Sequence, residues 1–371
     1  MAVTTTDVAP HERVGAGRLP GPDVVRAVAL IGVVVMNFHG YLILRGGTRG
    51  GGSVAELFDP WNGPLATRFA ATFVLVAGVG VTLFTRRVVA RPVDARLVSD
   101  RRWTLVRRGL ALYGGGLVLD QIWPGTILPY YGAMFVVAAV LFTLRGRWVI
   151  AVGVAAALAG AGIAWWGLER RLDDRPLTWL FSPGGSSPRA LVLDVVVNGT
   201  HPLLPWLAFF CVGIVLGRVL ETDWWRPAAM GLGLTMFGMA TVIAGAATVG
   251  SRAPVLASND PFSRGLVYTA SALGTALFAF AAVTWLAGRF AGTAPVEVLR
   301  HAGAMSLTLY VGHVLVFDLF VDWLGWIRPT GLDTALVFAA GYWIVAIAAA
   351  NWWHRSFGIG PVEWLYRRLG G

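Results

Sequence analysis

The sequence predicts an all-α fold that spans a membrane about ten times, with both termini cytoplasmic. Three observations carry that reading. Of 371 residues, 56% are hydrophobic and 13% are charged, against about 25% charged in ordinary soluble domains. The apolar residues gather into runs of the length needed to cross a bilayer, about 20 residues in a helix. The basic residues, arginine throughout with no lysine, cluster in alternate connections between those runs.

The runs cover residues 24–44, 65–85, 105–123, 127–145, 148–167, 202–220, 227–249, 266–288, 304–326 and 332–353. Residues 1–23 and 354–371 then form cytoplasmic tails around a single membrane domain, 24–353. The first run is not followed by a small-residue cleavage site, so it is expected to stay as a span. Arg86, Arg87, Arg91, Arg96, Arg101 and Arg102 separate the second and third runs. Arg145 and Arg147, Arg218 and Arg226, Arg289 and Arg300, then Arg355, Arg367 and Arg368 recur on the same side. The opposite loops balance their charge, with Glu169, Asp173, Asp174 and Asp194 beside Arg170, Arg171, Arg175 and Arg189. By the positive-inside rule the arginine side faces the cytoplasm. The expected location is a bacterial cytoplasmic membrane.

Composition also removes chemistries. Without lysine there is no Schiff base and no P-loop lysine. A single cysteine, Cys211, excludes an intramolecular disulfide and a thiol-redox pair, and no metal site is expected. The pI near 10.7 does not imply a nucleic-acid partner, because the arginines lie between apolar runs and not on the face of a soluble module.

Ionisable groups inside hydrocarbon are costly, so they are the first candidates for a site. The first run carries Asp23 and Arg26 near its inner end, and Asn37 and His39 near its outer end. Helical geometry puts Arg26 and Asn37 within about 20° of each other, and His39 about 200° from Asn37. In the ninth run Ser306, Tyr310 and His313 share one face within about 40°. Asp318 and Asp322 follow on another face. At about 1.5 Å per residue, His39, Asp120 and Asp318 reach similar depths of roughly 21–22 Å, with His313 nearer the midplane. His201 opens the sixth run. For several of these a structural role stays open: His313 as a neutral core histidine, Asp120 and Asp318 as solvated interfacial groups, Arg26 and the loop arginines as topology markers.

At these residues the chain resembles the YeiB-like bacterial membrane proteins, relatives of heparan-α-glucosaminide N-acetyltransferase within a transmembrane acyltransferase superfamily. The stretch from Asp23 through Arg26 to Asn37 is similar to that group's opening D-x-x-R-G-x-A-L…N pattern. Asp59-Pro-Trp61-Asn62-Gly63, Ile127-Leu-Pro-Tyr-Tyr-Gly132, His201-Pro-Leu-Leu-Pro-Trp206 and Gly360-Pro-Val-Glu-Trp364 resemble later blocks. Ser306…Tyr310…His313 is similar to a run shared with the acyltransferase-three family. Two departures matter. The N-acetyltransferase places its catalytic histidine eleven residues beyond the asparagine, where Gly46 to Ser53 here hold none. Ala27 replaces the glycine usual after the arginine.

The resemblance implies acyl transfer from cytoplasmic acyl-CoA, acetyl-CoA above all, to a hydroxyl or amine of an extracytoplasmic or lipid-linked sugar. On that reading His39 is the base, with His313 the second candidate. Asn37 and Tyr310 orient the carbonyl, and Asp120 or Asp318 holds a histidine tautomer. Arg26, Arg107 and Arg108 take the phosphates, and Trp61, Asn62 and His201 meet the acceptor. Membrane lipid is an expected partner, and a homodimer stays open. The rival reading is a transporter or flippase of a lipid or anionic metabolite, whose pathway the same residues would line; a third is a non-catalytic partner in envelope assembly.

Overall fold

The computed structural model describes residues 20–89, 94–176, 179–181, 187–246 and 257–371. Most of the expected amino-terminal tail, and Arg91 in the basic loop, lie outside the described residues. Every regular element among the described residues is helical.

Helix α1 (Pro20–Leu44) is the axis of the structure. A proline at its first position lacks the N–H that a helix start cannot use, and Asp23 sits in the positive first turn. The short α2 (Ser53–Leu57) lies in the connection to α3 (Arg68–Val89). Then come α4 (Ala95–Asp120), α5 (Leu128–Leu141), α6 (Gly146–Leu172), the short α7 (Pro188–Leu193), α8 (Leu203–Val219) and α9 (Trp225–Ala246). The chain closes with α10 (Leu266–Arg289), α11 (Ala294–Ala304), α12 (Ser306–Phe317), α13 (Leu332–Phe357) and α14 (Pro361–Gly370). A π-helical turn, Asp318–Trp323, extends α12.

Among the described residues, seven helices are long and apolar enough to span a membrane, or eight if the segments Pro188–Asn198 and Leu203–Val219, bent by 60°, make one broken span. The structure bears out the helical, membrane-spanning class, and three of the ten expected runs do not meet that measure as single straight helices. The difference has a physical origin. The third expected run belongs to α4, which carries Arg96, Arg101, Arg102, Arg107 and Arg108 along one continuous helix. The fourth belongs to α5, which has 14 residues, short of the roughly 20 that a span requires. The sixth, 202–220, starts at the bend.

Helix α1 packs against α3, α10, α11, α12 and α13, while α3 pairs with α8, α4 with α5, and α9 with α10. Lipid tails are as apolar as leucine, so helices in a bilayer associate through close packing. The α3–α8 pair shows how close. A Cβ on Gly78 would stand 2.2 Å from the Phe210 carbonyl oxygen, and one on Gly213 would stand 2.0 Å from that of Leu75. Phe209 and Phe210 of α8 are wholly buried, as are Phe38 and Phe317, which pack on each other at 5.3 Å between centroids. At the other end of the chain Gly358 takes a left-handed φ of 75° that ends α13. Pro361 then starts α14, whose Trp364, Leu365 and Leu369 are exposed beside Arg367 and Arg368. Such a helix has the composition of one lying at a membrane surface.

Candidate functional site

Two cavities enter the helix bundle and share a wall. The first, about 270 Å³, is lined by Asn37 and Tyr41 of α1, Trp61 and Thr67 of the loop before α3, His201 and Tyr310. The second, about 240 Å³, is lined by Arg26, Arg108, Tyr131, Ser306, Glu363 and again Tyr310. Arg26 stands near the start of α1 and Asn37 some three turns later, so the cavities approach from the two ends of that helix. Phe73, Ile127 and Tyr310 belong to both linings and form the partition. The Tyr310 hydroxyl is held there by Thr126 Oγ1 at 3.0 Å, and it accepts the Ile127 N–H at 3.3 Å.

His313 lies one turn beyond Tyr310 and is fully buried. Its Nδ1 faces the Tyr310 carbonyl oxygen. A carbonyl can only accept, so Nδ1 carries the proton and Nε2 is the acceptor. The Asn37 amide donates to that Nε2 at 3.1 Å. The chain of bonds runs Tyr310 carbonyl, imidazole, Asn37 amide, and it fixes which way Asn37 presents its second N–H and its oxygen to the cavity. Phe38, Trp123 and Tyr310 surround the ring, with centroids at 6.0, 5.5 and 4.9 Å.

His39 is buried to 0% exposure and does not line the cavity. The roughly 200° separation from Asn37 turns it toward the loop before α3, where Nδ1 donates to the Phe58 carbonyl at 2.8 Å. Its Nε2 is buried without a partner. That bond pins the loop to α1. At the next residue, Asp59 Oδ1 accepts the N–H groups of Trp61 and Asn62 at 2.8 and 2.9 Å. Burial raises the Asp59 carboxyl, but those two donors, with Arg49 and His39, outweigh it and hold the group below its usual range. The turn aims Trp61 into the cavity, with Arg49 5.1 Å from the centroid of its ring, while Asn62 stays exposed outside it.

At the arginine end, Arg26 Nη1 bonds Asp23 Oδ1 at 3.1 Å. Its guanidinium lies on Gly80 of α3, where a Cβ would come within 2.6 Å of Nη2. Arg108 reaches the same cavity between Phe84 and Tyr366, 4.4 and 5.6 Å from their centroids. Arg107, one residue earlier on α4, is exposed and does not line it. Glu363 of α14 caps α12 by accepting the N–H groups of Leu307 and Thr308 at 2.7 and 3.0 Å. Burial pushes the Tyr366 phenol up to about 12. The Tyr131 hydroxyl, buried and unbonded, also belongs to this cavity.

Neither carboxylate expected to orient a histidine does so. Asp120 Oδ1 accepts the Gly125 N–H at 2.8 Å and shapes the turn after α4. Asp318 is 3% exposed and stands 3.7 Å from Arg45, which makes a bidentate pair with Asp322. Backbone carbonyls hold both histidine tautomers instead. His201 does line the first cavity, with its ring edge-on to Trp206 at 4.6 Å and to Tyr130 at 5.8 Å. The sequence reading missed Thr67, Thr126, Tyr131 and Tyr366. A neutral hydroxyl gives no pattern of its own, whether inside an apolar run (Thr67), between two runs (Thr126) or in the expected tail (Tyr366), although Tyr131 and Glu363 sit in blocks noted for other residues.

Residues 18–250 match the family model described as heparan-alpha-glucosaminide N-acetyltransferase, catalytic. Residues 214–370 match a second model, described as a protein of unknown function, DUF418. The first covers more than half of the chain, and together the two run from the start of α1 through α14. No curated protein matches the sequence.

Proposed function

Because the chain belongs to the YeiB-like family related to the heparan-alpha-glucosaminide N-acetyltransferase catalytic domain, we propose that it is a multi-pass membrane acyltransferase drawing on acyl-CoA, acetyl-CoA first, to acylate a sugar hydroxyl or amine at the opposite face. The observation that carries this reading is the pair of cavities meeting at Tyr310. The donor enters from the arginine end, which the positive-inside rule makes cytoplasmic. Arg26 and Arg108 receive its phosphates, and the thioester reaches the partition along the apolar wall of Phe73, Ala77 and Leu128. The acceptor enters from the Trp61 side.

Acyl transfer needs donors aimed at the oxygen that gains charge. The Tyr310 hydroxyl stands on that boundary, and Asn37 lines the Trp61-side cavity next to it. His313 supports the arrangement by fixing the Asn37 amide, since both of its ring nitrogens are engaged. The acceptor's oxygen or nitrogen bonds to the acyl carbon as the carbon–sulfur bond breaks, and coenzyme A leaves as the thiolate.

Two cavities that share a wall also suit a carrier working by alternating access. Purified protein with acetyl-CoA and glucosamine separates the readings. The acyltransferase releases free thiol in step with acetylated glucosamine. Solute flux in vesicles without thioester consumption supports the carrier and removes the enzyme.

A further inference from the structure

We propose that His201 is the base on the acceptor side of the acyl transfer, supplying an imidazole that the loop after α1 lacks. This rests on the acyltransferase reading above. The described histidines are 39, 201, 301, 313 and 354. His301 and His354 stack on each other at 4.2 Å, and neither lines the Trp61-side cavity. His39 and His313 are closed off from it, each with a ring nitrogen bonded to a backbone carbonyl. His201 alone among them lines that cavity, together with Asn37, Trp61 and Tyr310.

The surroundings of His201 hold its ring without using its nitrogens. Trp206 and Tyr130 clamp it edge-on, and its Nδ1 is buried with no hydrogen-bond partner. Tyr130 is itself fixed, donating to Asp194 Oδ2 at 3.1 Å and accepting the Thr200 N–H at 3.0 Å. The backbone before His201 is tied down as well: the Arg264 guanidinium donates to the carbonyls of Asn198 and Gly199 at 2.7 and 2.8 Å. Nδ1 is enclosed by protein, whereas Nε2 is neither so enclosed nor hydrogen-bonded, and it is the nitrogen that a ligand in this cavity can reach. Burial pushes the His201 imidazole down, to about 3, so the ring is neutral at rest and open to accepting a proton.

In the step, His201 removes the proton from the acceptor's hydroxyl or amine as the oxygen or nitrogen attacks the thioester carbon. The electron pair of the broken carbon–sulfur bond leaves on sulfur. The imidazolium then yields its proton to water at the Trp61 side, and the thiolate takes one from water at the arginine side.

The test uses full-length protein in detergent with acetyl-CoA as donor and glucosamine as acceptor, comparing wild type with His201→Ala and His201→Gln. Loss of a general base costs about 10²- to 10⁴-fold in rate. Both variants are expected to lose transfer by that order and to keep the thermal stabilisation given by acetyl-CoA. Added imidazole is expected to restore part of the activity of His201→Ala. Transfer within threefold of wild type in either folded variant overturns the assignment of His201 alone. A wild type that is neither stabilised by acetyl-CoA nor able to transfer overturns the acyltransferase reading itself. If His201→Ala does not fold, His201→Gln carries the test.

Discussion

Replacing His313 separates a positioning role from a catalytic one. In His313→Ala the Asn37 amide loses its acceptor and a wholly buried ring is removed from between Phe38, Trp123 and Tyr310. Emptying a site of aromatic size costs about 3–5 kcal/mol, and the smaller imidazole should cost about 2–4 kcal/mol. An Asn37 freed to rotate no longer aims its N–H at the reacting carbonyl. Loss of one such donor lowers kcat by about 10²- to 10³-fold, or about 2.7–4 kcal/mol of barrier. His313→Gln keeps an acceptor for Asn37 and much of the volume, so its stability cost should stay under about 1.5 kcal/mol. Thermal unfolding in detergent and acetyl transfer to glucosamine measure both effects. The expected result is a destabilised, slow His313→Ala and a near-normal His313→Gln. A His313→Gln that is as stable as wild type yet as inactive as His313→Ala would refute the positioning argument and return His313 to the role of base.

Three further outcomes follow from the same geometry. Arg26→Gln removes a guanidinium from the donor cavity, and a charged contact is worth about 1.5–3 kcal/mol, so KM for acetyl-CoA should rise by roughly ten- to a hundredfold with kcat nearly constant, whereas Arg107→Gln should leave KM within about threefold in steady-state kinetics. Gly213→Ala forces a methyl to 2.0 Å from the Leu75 carbonyl oxygen; overpacking of this kind costs about 1–3 kcal/mol, read as a fall in the unfolding temperature. The Asp59 carboxyl is held below its ordinary value of 3.8, so its contribution to stability is fully present above that pH and is lost as pH falls through the lower folded value; the gap in melting temperature between wild type and Asp59→Asn should persist at neutral pH and close only below about pH 4.

Much of this was readable before the structure. Hydropathy and charge placement made the chain a helical membrane protein, and helical spacing put Asn37 and His39 on opposite sides of α1, where they stand. Membrane-depth counting levelled His39 with Asp120 and Asp318 and set His313 nearer the midplane, yet it is His313 that meets Asn37. What periodicity could not reveal is depth of burial and the identity of hydrogen-bond partners. Nothing in the run around His313 says that both ring nitrogens are consumed, or that a backbone carbonyl and not Asp120 or Asp318 fixes the tautomer. The expected runs and the observed helices part where a helix is long but charged, as in α4, or apolar but short, as in α5. Arg107 and Arg108 are neighbours in sequence, but adjacent helical positions diverge by about 100°, and one of them faces away from the cavity.

Sidedness tests the central claim most directly. Protein reconstituted into sealed vesicles in a single orientation is given acetyl-labelled acetyl-CoA at the arginine face and glucosamine at the other. The account predicts that label appears in acetylglucosamine at the glucosamine face, while free coenzyme A stays where the donor was supplied. Labelled product and coenzyme A on the same side, or transfer that proceeds equally well with both substrates at the Trp61 face, would contradict it.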